Sequence, residues 1–257
     1  MIDLTIIFLF GLIIGSFLNV VIYRYNTGRT LSGRSGCLSC GHKLQWFELI
    51  PLISFFWQKG RCRHCRSRLS FQYPLVEFGT GLLFVLIYQR VGLQFSILAL
   101  YGLVACLLMV ITAYDWRHKI VPNFFVYLFI LAGFIQPLLY WDSSLLIRLG
   151  WTMLGGAVTS APLLILWLIS RGRWMGFGDV KLALGMGLFL GINGGLSALI
   201  LAFFIGSIVG LTLIGWGKLR LWRKSKSYTM KSEIPFAPFL ILGFWLVFFF
   251  SINVIVF

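Results

Sequence analysis

Acidic side chains are scarce in this 257-residue sequence, and their placement carries its chemistry. There are seven: Asp3, Glu48, Glu77, Asp115, Asp142, Asp179 and Glu233. With 59% of residues hydrophobic and only 11% charged, most of the chain must be solvated by lipid. A carboxyl near hydrocarbon is expensive, so each one is a candidate site. Asp115 lies in Ala113-Tyr-Asp-Trp-Arg-His-Lys-Ile-Val-Pro-Asn123, and Asp179 in Gly176-Phe-Gly-Asp-Val-Lys181. Two carboxyls in one poorly hydrated site cannot both ionise cheaply, so one holds a proton while the other stays charged. Such a pair activates water and protonates a leaving amine, which is the chemistry of an aspartic protease. Gly176 and Gly178 would let an extended peptide approach Asp179. Taken alone, Asp179 reads as a helix N-cap and Asp115 as a surface ion pair with Arg117 or Lys119.

Four of the five cysteines form two pairs, Cys37-Leu-Ser-Cys40 and Cys62-Arg-His-Cys65, with 21 residues between. This spacing suits two knuckles sharing one structural zinc ion. Disulfides are the alternative, disfavoured in a reducing compartment. The three histidines, His42, His64 and His118, form no HExxH motif. None lies inside an apolar run to serve as the base of a Ser–His pair.

Eight apolar runs can position these residues: roughly 4–22, 73–90, 93–113, 122–141, 149–170, 180–192, 196–216 and 235–256. The sixth is short, and Gly191, Gly194 and Gly195 mark a tight turn after it, so runs six and seven could form one broken unit. Of the 22 Lys and Arg residues, all but Arg90 and Arg148 fall between runs on one side of an eight-span arrangement. That asymmetry predicts a cytoplasmic location for residues 23–72, 114–121, 171–181 and 217–234. It also explains the net charge of +15 without nucleic acid as a partner. The start has no basic region or small-residue cleavage pattern, so the first run reads as a retained span. Asp115 and Asp179 are 64 residues apart, one helical hairpin, which returns both to the same membrane face.

The expectation is therefore an all-α integral membrane protein of about eight transmembrane helices with a cytoplasmic zinc-knuckle loop. Its divisions are a first transmembrane helix (1–22), a tetracysteine loop (23–72) and a polytopic membrane domain (73–257). Between the knuckles, residues 44–57 hold Pro51 and are too short to span, so they read as interfacial, with Trp46 and Trp57 at headgroup level.

The ordered motifs resemble those of bacterial prepilin peptidases, membrane aspartic proteases with a Gly-x-Gly-Asp motif. They include Gly15-Ser-Phe-Leu-Asn-Val-Val-Ile-Tyr-Arg24, the two cysteine pairs, Glu48-Leu-Ile-Pro-Leu-Ile-Ser54, Tyr73-Pro-Leu-Val-Glu77, Ile120-Val-Pro-Asn123, Gly176-Phe-Gly-Asp-Val-Lys-Leu182 and Pro235-Phe-Ala-Pro238. The resemblance implies a catalytic pair, Asp115 and Asp179. It implies prepilin or pseudopilin substrates cut at the cytoplasmic face of the bacterial inner membrane, with 73–257 as the protease domain. N-methylation of the new amino terminus, using S-adenosylmethionine, stays open. Glu77 and Glu233 could orient Lys181 or the substrate amine, or serve as structural partners of the basic loops. The rival readings are an ion-coupled transporter using the Asp pair and a methyltransferase without proteolysis.

Overall fold

In hydrocarbon, backbone groups have no water to bond, so apolar runs must satisfy them internally as helices. The computed structural model describes residues 2–28, 30, 33–139, 145–219 and 234–254. Among them there is no strand, only two isolated β-bridges. The helices are α1 (Ile2–Arg24), α2 (Ile53–Trp57), α3 (Gln72–Val91), α4 (Phe95–His118), α5 (Asn123–Ile135), α6 (Leu145–Ser170), α7 (Phe177–Leu219) and α8 (Ala237–Phe250). Among the described residues, α1, α3, α4, α6 and α7 are long and apolar enough to cross a membrane. The protein is a helical, multi-pass membrane protein, as expected.

The count of segments turns on Gly191, which has φ 71° and ψ −171° inside α7. Only glycine adopts that conformation readily. A Cβ placed on Gly195 would lie 3.1 Å from Gly187 Cα, whereas a straight helix would hold these residues about 12 Å apart. The chain therefore folds back at Gly191, dividing α7 into arms 177–190 and 192–219. With the shorter apolar helices α5 and α8, this makes eight apolar segments among the described residues. The first arm rises only about 21 Å, short of the ~30 Å hydrocarbon layer.

The chain divides into two compact units, 1–113 and 114–257. In the first, Gly11 and Gly15 of α1 meet the backbone of α3: a Cβ on Gly15 would lie 2.7 Å from Glu77 Cα. Small residues four apart allow this close approach. Asn19 Nδ2 then donates to the Tyr73 carbonyl at 3.1 Å, tying α1 to the start of α3. In the second unit, α7 is central. Its first arm packs Gly185 on Phe129 of α5 and Gly187 on Gly155 of α6. The Phe129 and Phe189 rings stack at 5.2 Å, and Phe244 of α8 meets Phe129 edge-on at 5.8 Å.

Candidate active site

Asp115 lies in the last turn of α4, where its carbonyl accepts the Lys119 N–H at 2.7 Å. Lys119 adopts φ 56°, which ends the helix, and Pro122 then caps α5. The short turn holds the Asp115 side chain inward, at 3% exposure. Its carboxylate accepts the backbone N–H of Ala237, at the first turn of α8. Asp115 Oδ2 is buried and has no hydrogen-bond partner among the described residues.

Asp179 is the third residue of α7, not its N-cap, and is 7% exposed. Its N–H donates to the Gly176 carbonyl at 3.3 Å. The two carboxyls are close enough for the charge of Asp115 to act on Asp179. Both belong to the second unit, and the α5–α6 hairpin separates them in sequence.

Around the pair, Lys181 Nζ donates to Asn123 Oδ1 and lies 5.1 Å from the Tyr127 ring centroid and 5.3 Å from that of Phe177. Lys181 thus fastens the start of α7 to the start of α5. Gly178 has a local reason to be glycine, because a Cβ there would lie 2.7 Å from Val121 Cβ. Gly176 is more open: its nearest neighbour would be the Gly178 nitrogen at 3.9 Å. Asn123, Tyr127 and Ala237 were not singled out from sequence, although Asn123 and Ala237 fall inside the quoted motifs. Glu233 and Asp142 lie outside the described residues.

Glu48 and Glu77, in the first unit, have local employment. Glu48 Oε2 accepts the Gln45 N–H at 2.9 Å, closing a capping box. Glu77, 7% exposed, accepts the Leu52 N–H at 2.8 Å and a bond from Ser16. Leu52 has φ 60° and caps α2, so Glu77 tethers the loop to α3. Glu77→Ala is expected to strand that N–H at a cost of about 1–3 kcal/mol. It should lower the melting temperature and speed proteolysis within the loop. Glu77→Gln keeps an acceptor and should behave as wild type. An alanine variant as stable as wild type would show the tether to be idle.

The four loop cysteines converge. Their Sγ atoms all lie within 4.8 Å of one another, and Cys37 Sγ is 3.8 Å from Cys65 Sγ. A tetrahedron with Zn–S bonds of about 2.3 Å has edges of about 3.8 Å. Burial pushes the Cys37 thiol up, but the Cys40 and Ser39 N–H groups and the Ser67 hydroxyl outweigh it and hold it at about 6. The His42 N–H pulls the Cys40 thiol down, but burial and the neighbouring Cys65 and Cys37 push it up to about 11. Crowded thiolates of this kind ionise together when a cation joins them. The four residues could therefore hold a metal ion.

A model of the bacterial peptidase A24 N-terminal domain matches residues 9–91, and a model of the type IV leader peptidase family matches residues 102–211. The chain is similar to a prepilin leader peptidase/N-methyltransferase of Aeromonas salmonicida, 33% identical, over 94% of this chain and 89% of the relative. It is 30% identical to a protein of the same name from Bacillus subtilis, over 99% of this chain and 97% of that one. Another, from Burkholderia pseudomallei, is 31% identical over 91% and 81%. No solved structure matches the chain.

Proposed function

This chain belongs to the type IV leader peptidase family, and on that premise we propose that it removes prepilin leaders with Asp115 and Asp179 as its catalytic pair. What supports the assignment is two buried carboxyls within reach of one another's charge, one with an unpartnered oxygen. The ionised partner takes a proton from water as its oxygen attacks the scissile carbonyl carbon. The protonated partner donates to the carbonyl oxygen, and the tetrahedral adduct collapses: the amine leaves with the proton that the first carboxyl took from water, and an adduct hydroxyl returns a proton to the second carboxylate. Gly176, exposed beside Asp179, is the place for the substrate backbone. Lys181 and Gly178 act as positioning residues, through Asn123 and Val121.

The substrates are prepilins or pseudopilins, whose basic leader precedes an apolar helix. The charge asymmetry of the loops supports cleavage at the cytoplasmic face of the bacterial inner membrane. The relatives' names carry a second activity, N-methyltransferase, and this chain is read as methylating the new amino terminus too. S-adenosylmethionine would be the methyl donor. A cavity within the tetracysteine loop is lined by Lys59, Arg61 and Arg68 and by no carboxylate, a poor match for a donor bearing a sulfonium and an ammonium. The donor is assigned to no residue.

Co-expression with a prepilin, in a host without its own processing enzyme, tests the reading by mass spectrometry of the pilin. Leader loss plus one methyl group is expected. A prepilin left uncleaved while a separately supplied precut pilin is methylated would favour a methyltransferase alone, and both substrates left untouched would favour the transporter reading.

The metal is proposed to be one structural zinc held by Cys37, Cys40, Cys62 and Cys65, fixing the two knuckles together. Elemental analysis is expected to find about one zinc per chain. Cys37→Ser with Cys40→Ser should reduce this to near zero, and unchanged metal content would remove the assignment.

A further inference from the structure

The two knuckles are built alike but carry different charges. Cys37 N–H donates to the His42 carbonyl at 2.9 Å and Leu44 N–H to Ser35 at 2.8 Å. In the second knuckle, Cys62 N–H donates to Ser67 and Leu69 N–H to Gly60, both at 2.8 Å. Each closes on an isolated antiparallel bridge: Gly36 faces Lys43 in the first, whereas Arg61 faces Arg68 in the second. Directly opposed residues share one face of a β pair, and like charges there repel. The first knuckle forms without such a pair, so the knuckle turn does not require it. Arg61 and Arg68, with Lys59, also line a cavity of about 400 Å³ whose apolar walls include Phe55, Phe56 and Phe71. Phe55 is buried and meets Phe71 edge-on at 5.4 Å. Phe56, Phe71 and the neighbouring Trp57 are exposed, Trp57 by 84%.

We propose that this cavity seats the phosphate headgroup of an anionic phospholipid, with Lys59, Arg61 and Arg68 closing on the phosphate while Phe56, Trp57 and Phe71 enter the acyl boundary. Three cations with no carboxylate among them match the negative charge of a phosphodiester, which a guanidinium or an ammonium attracts alike. The loop leaves α1 and returns to α3, both long enough to span, so it begins and ends at the bilayer surface. A five-residue helix bearing exposed Ile53, Phe56 and Trp57 has reason to face lipid there. A soluble anion would leave those aromatic side chains in water, and a sulfonium methyl donor would meet three like charges.

The test uses full-length protein purified in detergent, with native mass spectrometry of bound phosphatidylglycerol and phosphatidylcholine. At about fivefold per basic side chain, the three together are expected to make wild type prefer phosphatidylglycerol by roughly a hundredfold. Arg61→Gln with Arg68→Gln should lower the preference about 25-fold, to the roughly fivefold that Lys59 alone supports. Arg61→Lys with Arg68→Lys should retain most of it, as should Lys43→Gln with Arg63→Gln, which removes equal charge elsewhere in the loop. Zinc content equal to wild type checks that each variant keeps its knuckles, and the lysine pair reads the charge requirement even if the glutamine pair misfolds. Three results overturn the proposal: an unchanged preference in the glutamine pair, an equal loss in the Lys43 and Arg63 control, or a lysine pair that loses the preference while keeping its zinc. Displacement of the lipid by millimolar glycerol 1-phosphate or by S-adenosylmethionine would also overturn it, reassigning the cavity to a soluble ligand.

Discussion

Prepilin mixed with the Asp179→Asn variant is expected to keep its leader, with kcat/KM lower by at least about 10³-fold. The amide has the shape of the carboxyl but cannot exchange a proton with water or with a leaving amine. Asp115→Asn should lose as much, because either role in the proposed pair needs an ionisable group. The folds should survive. At position 115 the amide oxygen can still accept the Ala237 N–H. At 179 a buried acid becomes a neutral group, which removes a desolvation cost. Melting temperatures at or above wild type, with cleavage abolished, would separate chemistry from folding. Cleavage above about a tenth of wild type in either variant would mean that the residue transfers no essential proton.

The largest effect on stability is expected at Gly187. A Cβ there would strike the Gly155 carbonyl oxygen and lie 2.6 Å from Thr159 Oγ1 and 2.7 Å from Thr159 Cβ. A flexible side chain could turn away, but a helix backbone cannot, so α6 and the first arm of α7 must separate. Gly187→Ala is expected to cost about 3 kcal/mol, the upper part of the range for overpacking. Asp179 is on the same short arm, about 12 Å along it, so cleavage should fall with stability. Gly150→Ala is the control, since a Cβ on that α6 glycine meets nothing within 4 Å. There the better helix former should be neutral or stabilising by up to about 1 kcal/mol. Equal melting temperatures for the two variants would show that the Gly187 contact relaxes freely.

Much of this arrangement was legible because lipid punishes exceptions. A run of apolar residues has only helix available to it, and charge collects between runs on one side, so eight segments could be counted from the chain alone. The cysteine pairs were legible because two-residue spacing is itself a chelating geometry. The length of one hairpin pointed Asp115 and Asp179 to the same membrane face, while their packing together was not legible from spacing. What escaped notice depends on partners that carry no sequence mark. Asp115 is held by the N–H of Ala237, a backbone group that any residue but proline supplies. Glu77 read either as a group for orienting an amine or as a structural partner of the basic loops, and the group it grips, the N–H of Leu52 across the loop, is a backbone one with no sequence mark. Gly178 looked like an opening for substrate, and its own need for glycine comes from Val121 behind it. Three glycines suggested a turn near 191–195. Only Gly191 takes the required backbone angles, while Gly195 instead allows the second arm to pack against the first.

The most direct measurement is the kcat/KM for leader removal by purified Asp115→Asn, Asp179→Asn and the double variant, against wild type and one prepilin. Residues that act as one unit lose nearly everything with the first substitution. Each single variant should therefore fall by at least about 10³-fold, and the double variant should be within about threefold of the weaker single. Singles that keep substantial activity, with losses that multiply in the double variant, would contradict a shared catalytic pair.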